Sequence, residues 1–402
     1  MKKNLIFMML IGLLVVIFFF SCNKDDKGNS IKKELKDGLT HIYNPSTPLK
    51  GKVKLELEKI FEIDSDTLKK EKPVSFNQSV RALSPQARTY LCDNLDFKIY
   101  IFDETGKLLT HFLEKGEGPG EFSSPFEYTI RPLGNDVWVP GRMKIARFNP
   151  DGEFIEEIKF SKPYRHLEIL DENRFIGNYY ILPTDQQVNA NNPRKDVCVL
   201  MDRSEGILKE LAQEVGAGGT LVNVRLPNGN NFNVDFALEI ISPFLLHSIS
   251  TDRQKVYLSR SNEYTVTVKN LNGETQRVIH RDYENILLND QNRKEIIDDI
   301  FFRQPPEVKK AIQDNMPAKF SAILKLVPLA DDYLAVFRLT GIRSFKIDIF
   351  DQEGRYIYEL ELPQGMERRV SLGKDIISEV CSIDDHDVYR AYRIKNLPEI
   401  FK

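Results

Sequence analysis

The sequence contains few of the residue patterns that mark several common protein classes. Its 56 Lys and Arg residues do not outnumber its 59 Asp and Glu residues, which argues against a nucleic-acid-binding protein. It has neither a Cys-x-x-Cys motif nor a Cys/His cluster, which argues against a structural zinc site, and no Gly-x-Ser-x-Gly motif of an α/β-hydrolase. Since 41% of the 402 residues are hydrophobic, however, the chain can bury a large core.

The cysteines do not suggest a disulfide framework. Apart from Cys22, the chain has only Cys92, Cys198 and Cys381, an odd number, and each lies inside an apolar segment. Disulfide-stabilised domains have paired cysteines at dense spacing. We therefore expect three buried free thiols.

The N-terminus has the pattern of a lipoprotein signal peptide. Lys2 and Lys3 precede an apolar run from Leu5 to Phe20, which is shorter than the roughly 20 residues of a membrane-spanning helix. Ser21 directly before Cys22 predicts cleavage after residue 21 and lipidation of the Cys22 thiol. The alternative is an uncleaved N-terminal membrane anchor.

Residues 22–38 are polar and charged and are interpreted as a tether. The stretch Cys22-Asn-Lys-Asp-Asp26 resembles the signal that sends lipoproteins of the Bacteroidetes to the outer face of the outer membrane. The resemblance implies an outer-membrane lipoprotein at the cell surface, held to the membrane through Cys22. Attachment facing the periplasm is the alternative.

Five segments share a repeated hairpin pattern. Each has an alternating apolar strand, an Asp or Asn, a turn that contains Gly, and a second alternating strand, which is typical of a β-hairpin. Each hairpin is preceded by two further apolar stretches, so each unit has four strands, as in a propeller blade. The segments are Lys98–Gly106, Lys144–Gly152, Val197–Gly206, Tyr264–Gly273 and Phe345–Gly354.

The chain ends supply another blade. Two strand-like stretches, Leu39–Tyr43 and Val53–Ile63, and two more, Ile376–Ile383 and Val388–Ile394, predict one composite blade that closes the ring. The fold expected for residues 39–402 is therefore all-β: a six-bladed β-propeller closed by both termini, with a short helical insertion at about 283–320 between blades 5 and 6.

A specific string supports this architecture. The hairpins together with Gly116-Glu-Gly-Pro-Gly-Glu-Phe122 resemble the six-bladed β-propeller lipoproteins of the Bacteroidetes, which are similar to NHL-type propellers. The resemblance covers roughly residues 39–402. It implies a fold and a location, but no general activity and no catalytic residues.

The long connections all fall on one face of such a propeller. The Asp-x-x-Gly turns join the third strand to the outer strand on one face, while the connections between blades and those between the second and third strands lie on the other. Long loops on a rigid scaffold commonly carry function. The ligand-binding candidates on the loop-bearing face are Glu117, Glu121, Phe122, Arg142, Asn178, Arg260 and Arg343.

The functional hypothesis is a non-catalytic binding module for a glycan, a peptide or a protein of the cell envelope. The six histidines are scattered over different blades with no two at ligand spacing, so no metal ligand and no cofactor is expected. The alternative is a metal-assisted hydrolase or lyase at the channel mouth.

Overall fold

The computed structural model describes residues 30–68, 74, 76–80, 88–93, 97–123, 130–182, 194–215, 220–225, 231–236, 238–366, 370–373, 375–384 and 386–397, with only the backbone of 77–80, 220–225 and 231–236. Cys22 and the rest of the predicted signal peptide lie outside these residues. Among the described helices, none is long and apolar enough to span a membrane.

The described residues form 29 strands and two α-helices. The strands are β1 (Lys32–Lys36), β2 (Leu39–Asn44), β3 (Lys52–Lys54), β4 (Leu57–Asp64), β5 (Phe76–Val80), β6 (Thr89–Asp93), β7 (Lys98–Phe102), β8 (Leu108–Phe112), β9 (Arg131–Leu133), β10 (Asp136–Pro140), β11 (Lys144–Phe148), β12 (Phe154–Lys159), β13 (His166–Ile169), β14 (Arg174–Ile181), β15 (Lys195–Asp202), β16 (Ile207–Val215), β17 (Thr220–Arg225), β18 (Asn231–Phe236), β19 (Leu245–Ile249), β20 (Lys255–Arg260), β21 (Thr265–Asn270), β22 (Thr275–Arg281), β23 (Ile323–Pro328), β24 (Leu334–Leu339), β25 (Phe345–Phe350), β26 (Tyr356–Glu361), β27 (Val370–Leu372), β28 (Ile376–Ile383) and β29 (His386–Ile394). The helices are α1 (Asp290–Ile300) and α2 (Pro306–Asp314), and short 3₁₀ turns span Ser65–Leu68 and Ala330–Asp332.

Six sheets form the blades of the propeller. From the innermost strand outward, blade 1 is β27-β28-β29-β4, blade 2 is β5 to β8, blade 3 is β9 to β12, blade 4 is β13 to β16, blade 5 is β19 to β22 and blade 6 is β23 to β26. A separate hairpin, β17-β18, lies between blades 4 and 5 in the chain. The expected six-bladed fold is thereby confirmed.

The composite blade differs from the prediction in its strand count. The C-terminal segment supplies three strands and the N-terminal segment supplies a single strand, whereas the sequence predicted two from each. β29 pairs with β4 in the register Val388↔Asp64 to Ile394↔Leu57. The short strand β27 was missed because three residues are too few to show an alternating pattern.

The remaining N-terminal strands widen two other blades. β2, predicted to belong to the composite blade, instead pairs in parallel with the outer strand β22 of blade 5, and β1 pairs with β2. β3 pairs in parallel with β26 of blade 6. The segment Lys32–Lys36, predicted to belong to the tether, is therefore a strand of the folded domain.

Neighbouring blades share hydrophobic cores all round the ring. Cys92 contributes to the core between blades 2 and 3 and Cys198 to the core between blades 4 and 5, while Cys381 lies buried in blade 1. All three described cysteines are free, as predicted. Phe61 and Phe76 pack together between blades 1 and 2, so the composite blade is packed on its neighbour as the other blades are.

The Asp-x-x-Gly turns also connect blades. In blade 2 the Asp103 carboxylate accepts hydrogen bonds from the backbone N–H groups of Thr105 (2.9 Å) and Lys107 (3.0 Å). In blade 3, Gly152 has φ +87°, and a Cβ added there would lie 2.7 Å from the Phe112 side chain of blade 2. Glycine is therefore needed for the turn and for the close contact with the preceding blade.

A buried ion network joins blades 5 and 6. The Asp348 carboxylate is fully buried and accepts hydrogen bonds from Arg338 Nε (2.9 Å) and from the hydroxyl groups of Tyr356 (2.9 Å) and Tyr264 (2.5 Å). Arg338 also donates from Nη2 to Glu359 (2.6 Å). Each carboxylate of this network thus has several donors, which offsets the cost of burying its charge.

The helical insertion lies between blades 5 and 6, as expected. The Asn289 side chain accepts a hydrogen bond from the backbone N–H of Asn292 (2.8 Å) and so caps α1. Ile296 and Ile312, one from each helix, are fully buried against Ile240 and Leu339. The helices therefore pack on the loop-bearing face of the propeller.

Candidate functional site

The innermost strands place a set of polar side chains at the propeller channel. The chain enters each innermost strand from the loop-bearing face. Arg131 and His166, the first residues of β9 and β13, therefore lie at the mouth. Glu168, His247 and Lys325, the third residues of β13, β19 and β23, lie about 7 Å deeper. We call this set the channel cluster; its members are Arg131, His166, Glu168, His247 and Lys325.

The acidic member of the channel cluster is ionised. Glu168 Oε1 lies 3.7 Å from Arg131 Nη2 and 3.6 Å from His166 Nε2. Burial by itself would raise the pKa of Glu168, but its interactions with His166 and Arg131 outweigh burial and lower that pKa to about 2. The ionised Glu168 of blade 4 therefore balances the positive charge of Arg131 on the adjacent blade 3.

His247 is the least satisfied member. Its side chain is 6% exposed, and neither ring nitrogen has a hydrogen-bond partner among the described residues. Its ring packs edge-to-face on that of His166, with 4.8 Å between the centroids. Burial is the largest cause that lowers the pKa of His247, to about 3, so the ring is neutral at neutral pH. A neutral imidazole has one donor and one acceptor to offer, and leaving buried polar groups unpaired costs about 1–3 kcal/mol.

Lys325 brings a positive charge without a carboxylate partner. Its side chain is accessible to solvent although protein encloses it, as expected for a group in a channel. Among the described residues, no carboxylate lies within 4 Å of its ammonium group. The ammonium nitrogen lies 5.8 Å from the centroid of the Phe337 ring. Burial and then the charge of Arg131, which lies on the opposite blade, lower the pKa of Lys325.

Asn178, one of the residues predicted from the sequence, lies next to the channel cluster, on the second strand of blade 4. It lies on β14, next to His166 in the sheet register, and is 3% exposed. Its Nδ2 donates to the carbonyl oxygen of Leu245 (2.8 Å), the first residue of β19, whereas its buried Oδ1 has no partner among the described groups. Asn178 therefore fixes the strand that carries His247.

The Gly116–Phe122 loop lies over blade 3. Glu117 is exposed. Glu121, a ligand-binding candidate, folds its carboxylate back, where it accepts a hydrogen bond from the Gly118 N–H (2.8 Å). Phe122 is 5% exposed and packs in the core between blades 2 and 3, beneath the Lys144 ammonium (5.0 Å from the ring centroid). Glu121 and Phe122 thus hold the loop in place.

The three candidate arginines lie on the loop-bearing face of three different blades. Arg142 is exposed on blade 3. Arg260 of blade 5 lies 3.9 Å from Glu214 and donates to the carbonyl oxygen of Val215 (3.3 Å). Arg343 of blade 6 forms an ion pair with Asp299 of α1. Arg260 and Arg343 are thus engaged in holding neighbouring elements.

Two groups of side chains bring potential metal-ligand atoms close together. Asp64, Asp66 and His386 lie within 4.8 Å of one another at the rim of blade 1, and all three are at least partly solvent-accessible. His166 and Glu168 have suitable ligand atoms 3.6 Å apart, but the guanidinium of Arg131 occupies the other side of the same carboxylate. A cation at Glu168 would therefore be opposed by a neighbouring positive charge.

The expectation of scattered histidines is wrong for two pairs. His166 and His247 meet at the channel, and His41 Nδ1 lies 2.9 Å from His280 Nε2 at the outer edge of blade 5. Sequence spacing does not show such contacts, because residues 81 positions apart in the first pair are brought together by neighbouring blades. The sequence signal that could have found the channel histidine is a polar residue in the middle of a blade's first apolar stretch, as in Leu245-Leu-His-Ser-Ile249.

A family match agrees with the architecture. Residues 48–205 match the DUF5128 family, described as a 6-bladed beta-propeller, while no curated protein matches the chain. A crystal structure of a Bacteroides fragilis protein described as exported is similar at 13% identity with a TM-score of 0.48, over 85% of this chain and 95% of that chain. A member of the duf4221 family from Bacteroides vulgatus is similar at 10% identity with a TM-score of 0.49, over 86% of this chain and 99% of that chain. With its six radiating sheets and the match over residues 48–205, this chain is a six-bladed β-propeller.

Proposed function

We propose that the protein is a cell-envelope lipoprotein whose propeller binds a ligand, without catalysis, at the loop-bearing end of its channel. The observation that carries the proposal is His247, a buried side chain whose two ring nitrogens have no partner among the described residues. Lys325 on the innermost strand of the next blade adds an ammonium group with no carboxylate within 4 Å among the same residues. Buried polar groups are normally satisfied, and unsatisfied ones mark places where a further group binds.

The described portion of the channel supports binding more than covalent catalysis. No hydroxyl or thiol of the described residues is hydrogen-bonded to His166 or His247, so neither histidine is coupled to a nucleophile. Burial raises the pKa of the Cys92 and Cys198 thiols, which disfavours the reactive thiolate. The proposed ligands are a glycan, a peptide or a protein of the envelope.

The membrane attachment rests on the N-terminal sequence. The short apolar run followed by Ser21-Cys22 supports export and acylation of Cys22, and Lys24-Asp25-Asp26 supports display at the cell surface. In cells fed labelled palmitate, the wild-type protein should take up label and Cys22→Ala should not. Labelling of the variant would contradict the lipid anchor. Digestion of intact cells with added protease distinguishes surface display from attachment facing the periplasm.

The binding function is tested by probing glycan and peptide arrays with the purified protein. A ligand found in this way should bind at least ten-fold more weakly to His247→Phe, which fills the site and removes its donor and acceptor. Glu104→Gln, in an exposed turn on the opposite face, is the matched control and should bind as the wild type does. Equal losses in both variants would exclude the channel mouth as the binding site. A stoichiometric metal in the purified protein would favour the hydrolase or lyase instead.

A further inference from the structure

We infer that the channel cluster binds a carboxylate group of the ligand, with Lys325 and the two histidines as its direct partners. This inference rests on the proposed binding function and adds the chemical class of the ligand. It follows from which hydrogen-bonding groups and charges the described portion of the channel leaves unpaired.

Lys325 and the two histidines of the cluster can each donate to an anion. The Lys325 ammonium has three donor hydrogens and no carboxylate partner within 4 Å among the described residues. His247 is neutral and has one N–H without an acceptor among the described residues. The His166 ring lies against His247 and is itself half-exposed, so it is within reach of the same ligand. Charge-assisted hydrogen bonds of this kind are the strong ones in protein sites.

The charges of the channel cluster leave one positive charge, which a ligand with one negative charge would neutralise. Arg131 is compensated by Glu168, at 3.7 Å, which leaves the charge of Lys325 without a partner. Glu239 in the segment before β19 also acts on Lys325, but it is exposed and its charge is screened by solvent. A carboxylate would neutralise Lys325, whereas a phosphate dianion would leave a further negative charge in the channel unless a histidine took up a proton.

The geometry also explains why Glu168 does not itself satisfy these donors. Glu168 is directed to Arg131 and His166 on its own and the preceding blade, while His247 and Lys325 lie on blades 5 and 6. The unpaired donors are therefore on one side of the channel, and a ligand carboxylate there would face Glu168 across Arg131 and His166.

Two matched pairs of small probes test the inference on the full-length protein. Glucuronate is compared with glucuronamide, and N-acetylglycine with N-acetylglycinamide, so that in each pair a neutral amide replaces the carboxylate. Binding is followed through the NMR signals of the histidine rings, with those of His166 and His247 assigned from single substitutions. Compounds of this size should bind with a Kd in the millimolar range. We expect the acid of at least one pair to bind at least ten-fold more tightly than its neutral partner; the pair that does so distinguishes a sugar acid from a peptide C-terminus.

Variants identify the groups responsible. Lys325→Met should weaken binding of the acid about ten-fold and leave the neutral partner unchanged, whereas Lys325→Arg should retain most of the affinity. Lys107→Met, on an exposed turn of the opposite face, should have no effect. Since Lys325 has no ion pair to lose, thermal melting should show that all three variants are folded.

Several results would overturn the inference. They are equal binding of acid and neutral partner, tighter binding of inorganic phosphate than of either acid, and an absence of histidine shifts with both acids at 50-fold excess over the expected millimolar range. If an array ligand without a negative charge binds and loses affinity in His247→Phe, the binding function stands and only the carboxylate inference fails. If array ligands bind without any effect of His247→Phe, the proposed site itself is wrong.

Discussion

The buried ion network between blades 5 and 6, called the wall below, and the channel that the blades enclose differ in how their polar side chains are paired. In the wall, the Asp348 carboxylate has three donors within 2.9 Å and Arg338 reaches a second carboxylate, Glu359. In the channel, His247 is almost as buried but has no hydrogen bond, and Lys325 has no carboxylate partner among the described residues. The multiply bonded Asp348 carboxylate holds two blades together, whereas the unpaired groups of the channel leave donors for something else. The two regions should therefore respond oppositely to mutation.

The largest effect is expected from opening the ring. Deleting the chain from Ile376 onward removes β28 and β29, the two strands between β27 and β4. Their apolar contacts with blades 6 and 2 are lost and two sheet edges are exposed, against a net stability of only about 5–15 kcal/mol. We expect the truncated chain to show no cooperative melting by circular dichroism. A cooperative transition at the full-length temperature would show that blade 1 is dispensable.

Removing the central carboxylate of the wall should come next. Asp348→Ala leaves Arg338 buried beside one remaining carboxylate and the Tyr264 hydroxyl without its acceptor, while the Tyr356 hydroxyl keeps only its longer contact with Glu359 (3.4 Å). The expected loss is about 3–5 kcal/mol, measured by urea unfolding. Asp299→Ala, which breaks the exposed ion pair with Arg343, is the control and should cost less than about 1 kcal/mol. Similar losses for both variants would mean that burial does not determine the worth of an ion pair here.

A smaller loss is expected where one blade contacts the next through a turn. Gly152→Ala places a Cβ at φ +87° and 2.7 Å from the Phe112 side chain, for an expected loss of about 2–4 kcal/mol. Gly134→Ala is the matched control, because Gly134 also has positive φ, +62°, but nothing lies within 4 Å of its added Cβ. It should cost about 1–2 kcal/mol. The difference between the two variants in urea unfolding measures the contact between blades 2 and 3.

A substitution in the channel should have the smallest effect on the free energy of unfolding, and it should not lower that free energy as the substitutions above do. At pH 8, His247→Leu removes two unpaired buried nitrogens, so the free energy of unfolding should stay the same or rise by about 1 kcal/mol. Because the folded-state pKa of His247 is lowered to about 3, the unfolded chain binds the proton first as the pH falls below 6.5. The wild type should therefore lose about 1 kcal/mol per pH unit below 6.5, and His247→Leu should lose less in that window. Destabilisation by His247→Leu at pH 8 would place the histidine with the paired groups of the wall.

In both the wild type and His247→Leu, Glu168 affects stability in a second, lower pH range. Its pKa is about 2 in the folded state, so its contribution to stability is present above pH 4.5 and is lost as the pH falls towards 2. Unfolding curves between pH 8 and 5 therefore report on His247 without interference from Glu168. This separation makes that range the informative one for the comparison of wild type and His247→Leu.

The sequence determined the repeated unit by itself, because a blade is local. Alternation within Lys98–Phe102 and the Asp103–Gly106 turn depend on neighbours a few residues apart, and the same is true of the cap at Asn289 and the break at Pro305. Four such strands per unit, repeated, already predict a propeller and the face that carries the long loops. The predicted buried state of Cys92 and Cys198 also follows from their apolar neighbours.

The tertiary structure alone decided which strand joins which blade and what meets at the channel. Leu39–Asn44 satisfies its backbone on blade 5, because any open sheet edge offers the same hydrogen bonds and the pattern of a strand does not name its partner. Likewise, Glu121 could be predicted at a loop but not its return to Gly118. Arg131, His166, His247 and Lys325 lie in four separate strands, and only closure of the ring brings them to one axis. Their proximity is a property of the closed ring, since no two of those strands are in hydrogen-bonding contact with each other.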